Sequence, residues 1–445
     1  RPDIIWLATG NGLVRLNSET GTYERFLIAP NEDENTNPLN FIHQVVPDPD
    51  NPNVLWVGGP GTGVARFDMQ NASFTSYRND PRDPNSLSDN FVQSMFADRA
   101  GTIWVGTATE GLEAFNPGAV NFTHLRNDPE DTRSITPGIV WGVYEDQVGT
   151  LWVGTDVGAA GHYLTQFDIN SGKTVRHKHD PEDPSTLLFG SLRVFAEDAY
   201  GNFWVGGSGG LNLLDRKSGK ATRFRHPRLE ENLGRNNIFA LIPTNENDTL
   251  LWVGSAGGVD RFNTHARTFE HVLLATQGME QETVVLNLHQ DADGILWAGT
   301  TQGLFRLDTE GNVSIASAYN PKDTTSINNN QIVSIVERKE EPGVLWLATQ
   351  NGGLNRYDSH TGNVEHFTKE DGIPSNTLYG ILEDEKGTFW ISTNGGISNF
   401  DPANNTFRNY GLDDGLMALE YSQNAYFKGK RGVLYFGSGN GVTAF

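Results

Sequence analysis

The sequence predicts an all-β protein, a β-propeller of four-stranded antiparallel blades, on three observations. Nine tryptophans recur 44 to 52 residues apart in one context, Leu/Ile/Phe-Trp followed by an apolar and then a small residue. They are Trp6, Trp56, Trp104, Trp152, Trp204, Trp252, Trp297, Trp346 and Trp390, and Tyr435 takes the slot in a tenth copy. Within each copy, short β-prone stretches are parted by glycine or acidic turns. Glycine is abundant, at 50 residues, and aromatics make up 10% of the chain, which suits tight turns and pleated strands. Four strands in a period of about 45 residues define a propeller blade.

Each unit reads in the same order. A first strand such as IVSIVE (332–337) ends at a turn such as EDQVG (145–149), EDAYG (197–201) or EDEKG (383–387). The Trp strand follows, as in TIWVGT (102–107), and two residues past the Trp the chain keeps Gly, Ala or Ser, small enough for a crowded strand near a hub. A glycine opens the third strand, as in GGISNFD (395–401), where a positive φ is expected. A short aromatic stretch such as NTFRNY (405–410) supplies the fourth. The Trp is read as packing between blades.

Net charge is −22, from 55 acidic and 33 basic residues, which disfavours nucleic acid and anionic membrane surfaces as partners. With no cysteine, disulfides, thiolate nucleophiles and Cys-ligated metals are excluded. No stretch has the length and apolarity of a membrane span, so a membrane is a partner only through segments absent here. The chain starts in mid-pattern at Arg1, and unit ten stops at Phe445 ahead of a fourth strand, so the native chain is expected to continue both ways.

The units IWVGTATEGLEAFN (103–116), LWLATQNGGLNRYD (345–358) and FWISTNGGISNFD (389–401) resemble the two-component regulator propeller repeat. The entry loops NDPRDPNSLSDNFV (79–92), NDPEDTRSITPGIV (127–140) and NPKDTTSINNNQIV (320–333) strengthen the likeness, which covers essentially the whole chain. The resemblance implies a periplasmic or extracellular sensor domain of a bacterial membrane receptor, followed by a kinase, cyclase or other output and able to act as a homodimer. It also implies a small polar ligand, carbohydrate for several relatives. Family members often carry enough repeats for two seven-bladed propellers, whereas this chain has ten. Because exposed sheet edges invite aggregation, the expectation is one ten-bladed ring over residues 1–445, a single domain. The alternative is seven blades plus three units of another propeller.

Strand parity places the loop entering strand one and the loop joining strands two and three on one face. The entry loops are long and variable, the usual place for binding on a rigid scaffold. Unit four adds an insertion there, DVGAAGHYLTQ (156–166), with His162 and Tyr163. Asn recurs just before strand one, at Asn40, Asn90, Asn237, Asn330 and Asn376. These amides either cap the turn into the strand or ring the mouth as ligand contacts. One position near the top of strand one varies: His43, Gln93, Trp141, Arg193, Phe239, Leu286, Val333, Tyr379 and Gln423. Trp141, Arg193 and Tyr379 would form a stacking and hydrogen-bonding set for a sugar or small acid; the other reading has them filling gaps between blades.

No catalytic residue is assigned. The pairs Glu145/Asp146, Glu197/Asp198 and Glu383/Asp384 recur at one place in the repeat, whereas a glycosidase needs a single acid and partner at defined separation. They read as hairpin-turn acids facing away from the mouth. His177 and His179 share a strand face but lack a third ligand, so no metal site is assigned. No cofactor is expected; the Asp/Asn loops leave Ca²⁺ open without the dense spacing that would support it. A propeller enzyme of lyase or glycosidase type, or a protein-interaction scaffold, stand as alternatives to the sensor.

Overall fold

The computed structural model describes residues 3–29, 37–49, 51–81, 86–98, 101–118, 120–226, 236–244, 249–272, 283–308 and 312–445; residues 82–85 of the entry loop 79–92 lie outside them. Strands dominate, joined by turns and short 3-10 segments such as Gly158–Ala160. Ten antiparallel sheets follow one another along the chain, one per Trp unit, as the repeat predicts. Their grouping differs from expectation. The chain forms two compact units, Arg1–Val120 and Asn121–Phe445, in place of a single domain.

Unit 1 holds a three-stranded, a four-stranded and a three-stranded sheet, with middle strands Gly12–Asn17, Val54–Gly59 and Ile103–Thr107 among them. Unit 2 holds seven four-stranded blades whose first strands are Ile139–Glu145, Leu192–Glu197, Ile238–Pro243, Val285–Gln290, Ile332–Glu337, Leu378–Glu383 and Tyr421–Lys428, numbered here blades 1 to 7. Each first strand packs beside the next, and that of blade 7 packs beside that of blade 1, so the ring closes over seven. The expected ten-bladed ring is thus corrected to the seven-plus-three arrangement.

The physical reason lies in one strand. Thr123–Leu125, which the repeat would assign to the third unit, pairs instead with Gly441–Ala444, in the register Thr123↔Ala444, His124↔Thr443 and Leu125↔Val442. The third unit is left with three strands, and the last blade gains the fourth that its own sequence lacks. Leu125 then packs against the cluster of Ile135, Val140, Tyr435 and Val442.

The repeating tryptophans do more than fill space. Trp152, Trp204, Trp297 and Trp346 are fully buried. Trp152 Nε1 donates to Asp146 Oδ2 at 2.9 Å, Trp204 Nε1 to Asp198 at 2.9 Å, and Trp297 Nε1 to Asp291 at 2.8 Å. The same aspartates accept backbone N–H groups of their own turn, as Asp146 Oδ1 does from Val148 and Thr150. The acidic pairs are therefore hairpin clamps that give the buried indole its acceptor. Ahead of Trp252 and Trp346 the hairpin is two residues longer than in blades 1 and 2, and their indole N–H groups have no partner among the described residues, whereas Trp56, behind an equally long hairpin, keeps Asp48. Behind blade 1, Arg216 Nη1 joins Asp146 (3.0 Å) to Glu197 (2.6 Å), a buried ion network on the side of the strand one–two turns. The small residue two positions past the Trp is also explained: a Cβ on Gly154 would collide with the carbonyl oxygen of Leu192 in the next blade.

Two outcomes follow. Asp146→Ala strands the Trp152 N–H and one carboxylate contact of Arg216, and should cost about 3 kcal/mol of unfolding free energy in denaturant titration. Leu125→Ala should cost about 2 kcal/mol and selectively speed amide exchange at 441–444; unaltered exchange there would contradict closure by residues 123–125.

Candidate ligand site at the entry-loop face

The variable position on strand one has a common structural cause. In six blades of unit 2, the pairing of strand one with the Trp strand skips one residue, a β-bulge. The skipped residues are Trp141, Arg193, Phe239, Leu286, Val333 and Tyr379. Blade 7 widens the irregularity to the stretch between Tyr421 and Tyr426, where Asn424 takes φ +67°. A bulge leaves its residue outside the ladder and re-aims the side chain. Gln93 is the bulge residue of the corresponding strand in unit 1.

Two cavities line up with these residues. The larger, about 580 Å³, is bounded by Ile139 and Trp141 of blade 1, Gln350 of blade 5, Tyr379 of blade 6 and, from the blade 7 side, Glu420, Gln423 and Asn440. These come from strand-one tops, the entry loop of blade 7 and strand two–three loops, the face that strand parity singles out. The second, about 160 Å³, is lined by Arg193, Phe239, Asn287, Asn424 and Tyr426 among others.

Between the two, the Arg193 guanidinium stacks on Trp141, 4.2 Å from the ring centroid, with Phe239 at 5.6 Å. Such stacking is a favourable place for a weakly hydrated cation. Burial holds the Arg193 pKa below its ordinary value, opposed by the charge of Asp156. The carboxylate of Asp156 is itself engaged, Oδ2 by the Ser191 hydroxyl at 2.7 Å and Oδ1 by the Gly158 N–H at 2.7 Å. Among the described residues, four buried polar atoms around this stack have no hydrogen-bond partner: Trp141 Nε1, Arg193 Nε, Gln423 Nε2 and Asn424 Oδ1. Three are donors. Asn424 Nδ2 reaches the carbonyl of Phe239, while Gln423 Oε1 accepts from Gln350 Nε2 at 3.4 Å. Tyr379 donates to Glu420 at 3.4 Å, and its pKa is raised by burial and by that carboxylate.

The structure therefore brings Trp141, Arg193 and Tyr379 to one region, as the sequence suggests. Leu286 and Val333, from the same series, are buried in the core, where the gap-filling reading holds. His43 and Gln93 belong to unit 1, and both are exposed. His162 and Tyr163 stand apart from both cavity linings. His162 tucks under Phe189, ring centroids 4.6 Å apart, with Nδ1 3.4 Å from Asp156 Oδ1, and Lys178 covers the Tyr163 ring.

The recurring asparagines act as caps. Asn90 Oδ1 accepts from the N–H of Asn79, Asn330 Oδ1 from Tyr319, and Asn376 Oδ1 from Lys369, tying each entry loop to the preceding strand. In blade 3, Asn236 and not Asn237 takes this place, accepting from the N–H of His226. Sequence reasoning missed Glu420, Gln350 and Asn424. A signal for Asn424 was present: Gln423 precedes Tyr435 by twelve residues, where Trp141, Arg193 and Tyr379 precede their Trp by eleven.

Comparison with known proteins places the repeat. The family model described as two component regulator propeller matches residues 86–109 and 372–395. The chain is similar to histidine kinase P4 of Formosa agariphila, 25% identical over 306 residues; the match covers 65% of this chain and 21% of that protein. Among solved structures, it aligns over its full length with 73% of the extracellular domain of a hybrid two component system of B. thetaiotaomicron, at 19% identity and TM-score 0.39. Virginiamycin B lyase of Staphylococcus aureus aligns with 73% of the chain and 98% of its own length, at 13% identity and TM-score 0.54, a likeness of fold. Among the described residues, no helix is long and apolar enough to cross a membrane. The two matched stretches fall in the units centred on Trp104 and Trp390, so the chain carries two-component regulator propeller repeats within a propeller fold.

Proposed function

We propose that this chain is the extracytoplasmic sensing part of a bacterial membrane signalling receptor, and that unit 2 takes a small polar ligand at the Trp141–Arg193 stack, in the cavities on its two sides. On this reading the protein works in the periplasm or outside the cell and passes the signal to a module elsewhere in the receptor, within a homodimer. The observation that carries it is the set of unpaired buried donors around the Trp141–Arg193 stack. Burying such groups without partners costs free energy that a bound acceptor would return. An aromatic face beside hydroxyl and amide groups suits a carbohydrate, and the guanidinium suits a sugar acid.

The domain is read as binding rather than catalytic. Its cavity lining offers one carboxylate, Glu420, and no imidazole to partner it as an acid–base pair. The similarity to a histidine kinase over 306 residues fits a receptor. The lyase shares only the fold.

Isothermal titration against neutral oligosaccharides and their uronic-acid counterparts tests the reading. Arg193→Ala or Trp141→Ala should weaken binding tenfold or more, about what losing a charge-assisted hydrogen bond removes. Phe189→Ala, beside His162 and off both cavity linings, should leave affinity unchanged. Binding indifferent to Arg193 and Trp141 would place the ligand elsewhere.

A further inference from the structure

Blade 3 contains one departure from the repeat that the ligand site does not use. At the middle of the third strand most blades of unit 2 carry an uncharged polar residue facing the core: Thr165, Asn212, Asn355, Ser398 and Thr443. Asn212 and Asn355 use their carboxamide oxygen to accept a loop N–H, from Leu188 and Asn328. Blade 3 has Asp260 there, 2% exposed, the one carboxylate at this register among the seven blades of unit 2. Two imidazoles converge on it. His271, its cross-strand partner on Thr268–Val272, brings Nδ1 to 2.7 Å from Asp260 Oδ1. His226, which follows the outer strand of blade 2, brings Nε2 to 3.4 Å from the same oxygen.

We propose that His226, Asp260 and His271 form a zinc-class metal site bridging blades 2 and 3. The three ligating atoms lie within 4.8 Å of one another. A tetrahedral zinc ion, with bonds of about 2.0–2.1 Å, holds its ligand atoms about 3.3 Å apart. The His226–Asp260 edge already has that length, and the other two edges need small side-chain rotations. Two imidazoles and one carboxylate are a donor set of the kind zinc takes, with a fourth position left for water. A cavity of about 10 Å³ bounded by His226, Asn236, Ser255 and Asp260 supplies room on the scale of one water.

A divalent cation would compensate the charge of a carboxylate placed in the core. The ion would fasten the end of blade 2 to blade 3 just ahead of Phe239, the bulge residue on which Arg193 rests.

The test uses the whole chain, stripped with a chelator and dialysed against buffered ZnCl₂. One zinc per chain by mass spectrometry of the metal, a rise of several degrees in Tm, and a tetrahedral visible spectrum with Co²⁺ are expected. Asp260→Asn and, separately, His271→Gln should each lower zinc affinity at least tenfold while circular dichroism reports an intact fold. If either variant unfolds, His226→Gln, at the site's edge, carries the same expectation. No retained zinc in the unaltered chain, or equal retention in the folded variants, overturns the site and leaves the ligand cavity unaffected.

Discussion

Three residues decide the form of unit 2. The pairing of Thr123–Leu125 with Gly441–Ala444 joins stretches more than 300 residues apart and closes the ring of unit 2. It completes the seventh blade, removes a raw sheet edge, and sets blade 7 beside blade 1. That seam is where the larger cavity lies: Trp141 comes from one side, Gln423 and Glu420 from the other, with Tyr379 in the adjacent blade.

A second constraint acts within each blade. The Trp–Asp clamp gives the hairpin acid and the buried indole to each other, and so takes the most conspicuous repeated residues out of contention for chemistry. On the opposite face, the bulge in strand one frees one residue per blade from ladder pairing. Repetition builds the scaffold at the first place and permits variation at the second. The polar network at Asp146, Glu197 and Arg216 shows how heavily the turn side is committed to structure. The Trp141–Arg193 stack combines donors that have no partner among the described residues with cavities on either side, and that combination is the physical ground for looking for ligand there.

Much of this was legible in the sequence, though unevenly. Trp spacing is a local signal, since every copy must bury the same indole against its neighbour, and it yielded the blades and their order. The variable position was visible because nine aligned copies of strand one expose what does not repeat. That it is a bulge was not visible: the skipped residue has no composition of its own, and only the ladder register reveals it. The Asn cap was also legible as chemistry, but the difference between Asn236 and Asn237 depends on which amide oxygen meets the His226 N–H. His226, Asp260 and His271 lie on two blades, too far apart in sequence to read as a motif.

The sequence by itself determined the fold class, the four-stranded unit and the face where strand-one and strand two–three loops meet, because these rest on short-range periodicity and parity. Ring size, the partner of residues 123–125, the bulges that aim Trp141 and Arg193, and the meeting of His226 with Asp260 were decided only by tertiary structure. Ten similar units carry similar edges, so nothing local says which strand closes on which. That choice is made when distant strands compete for the same open ladder.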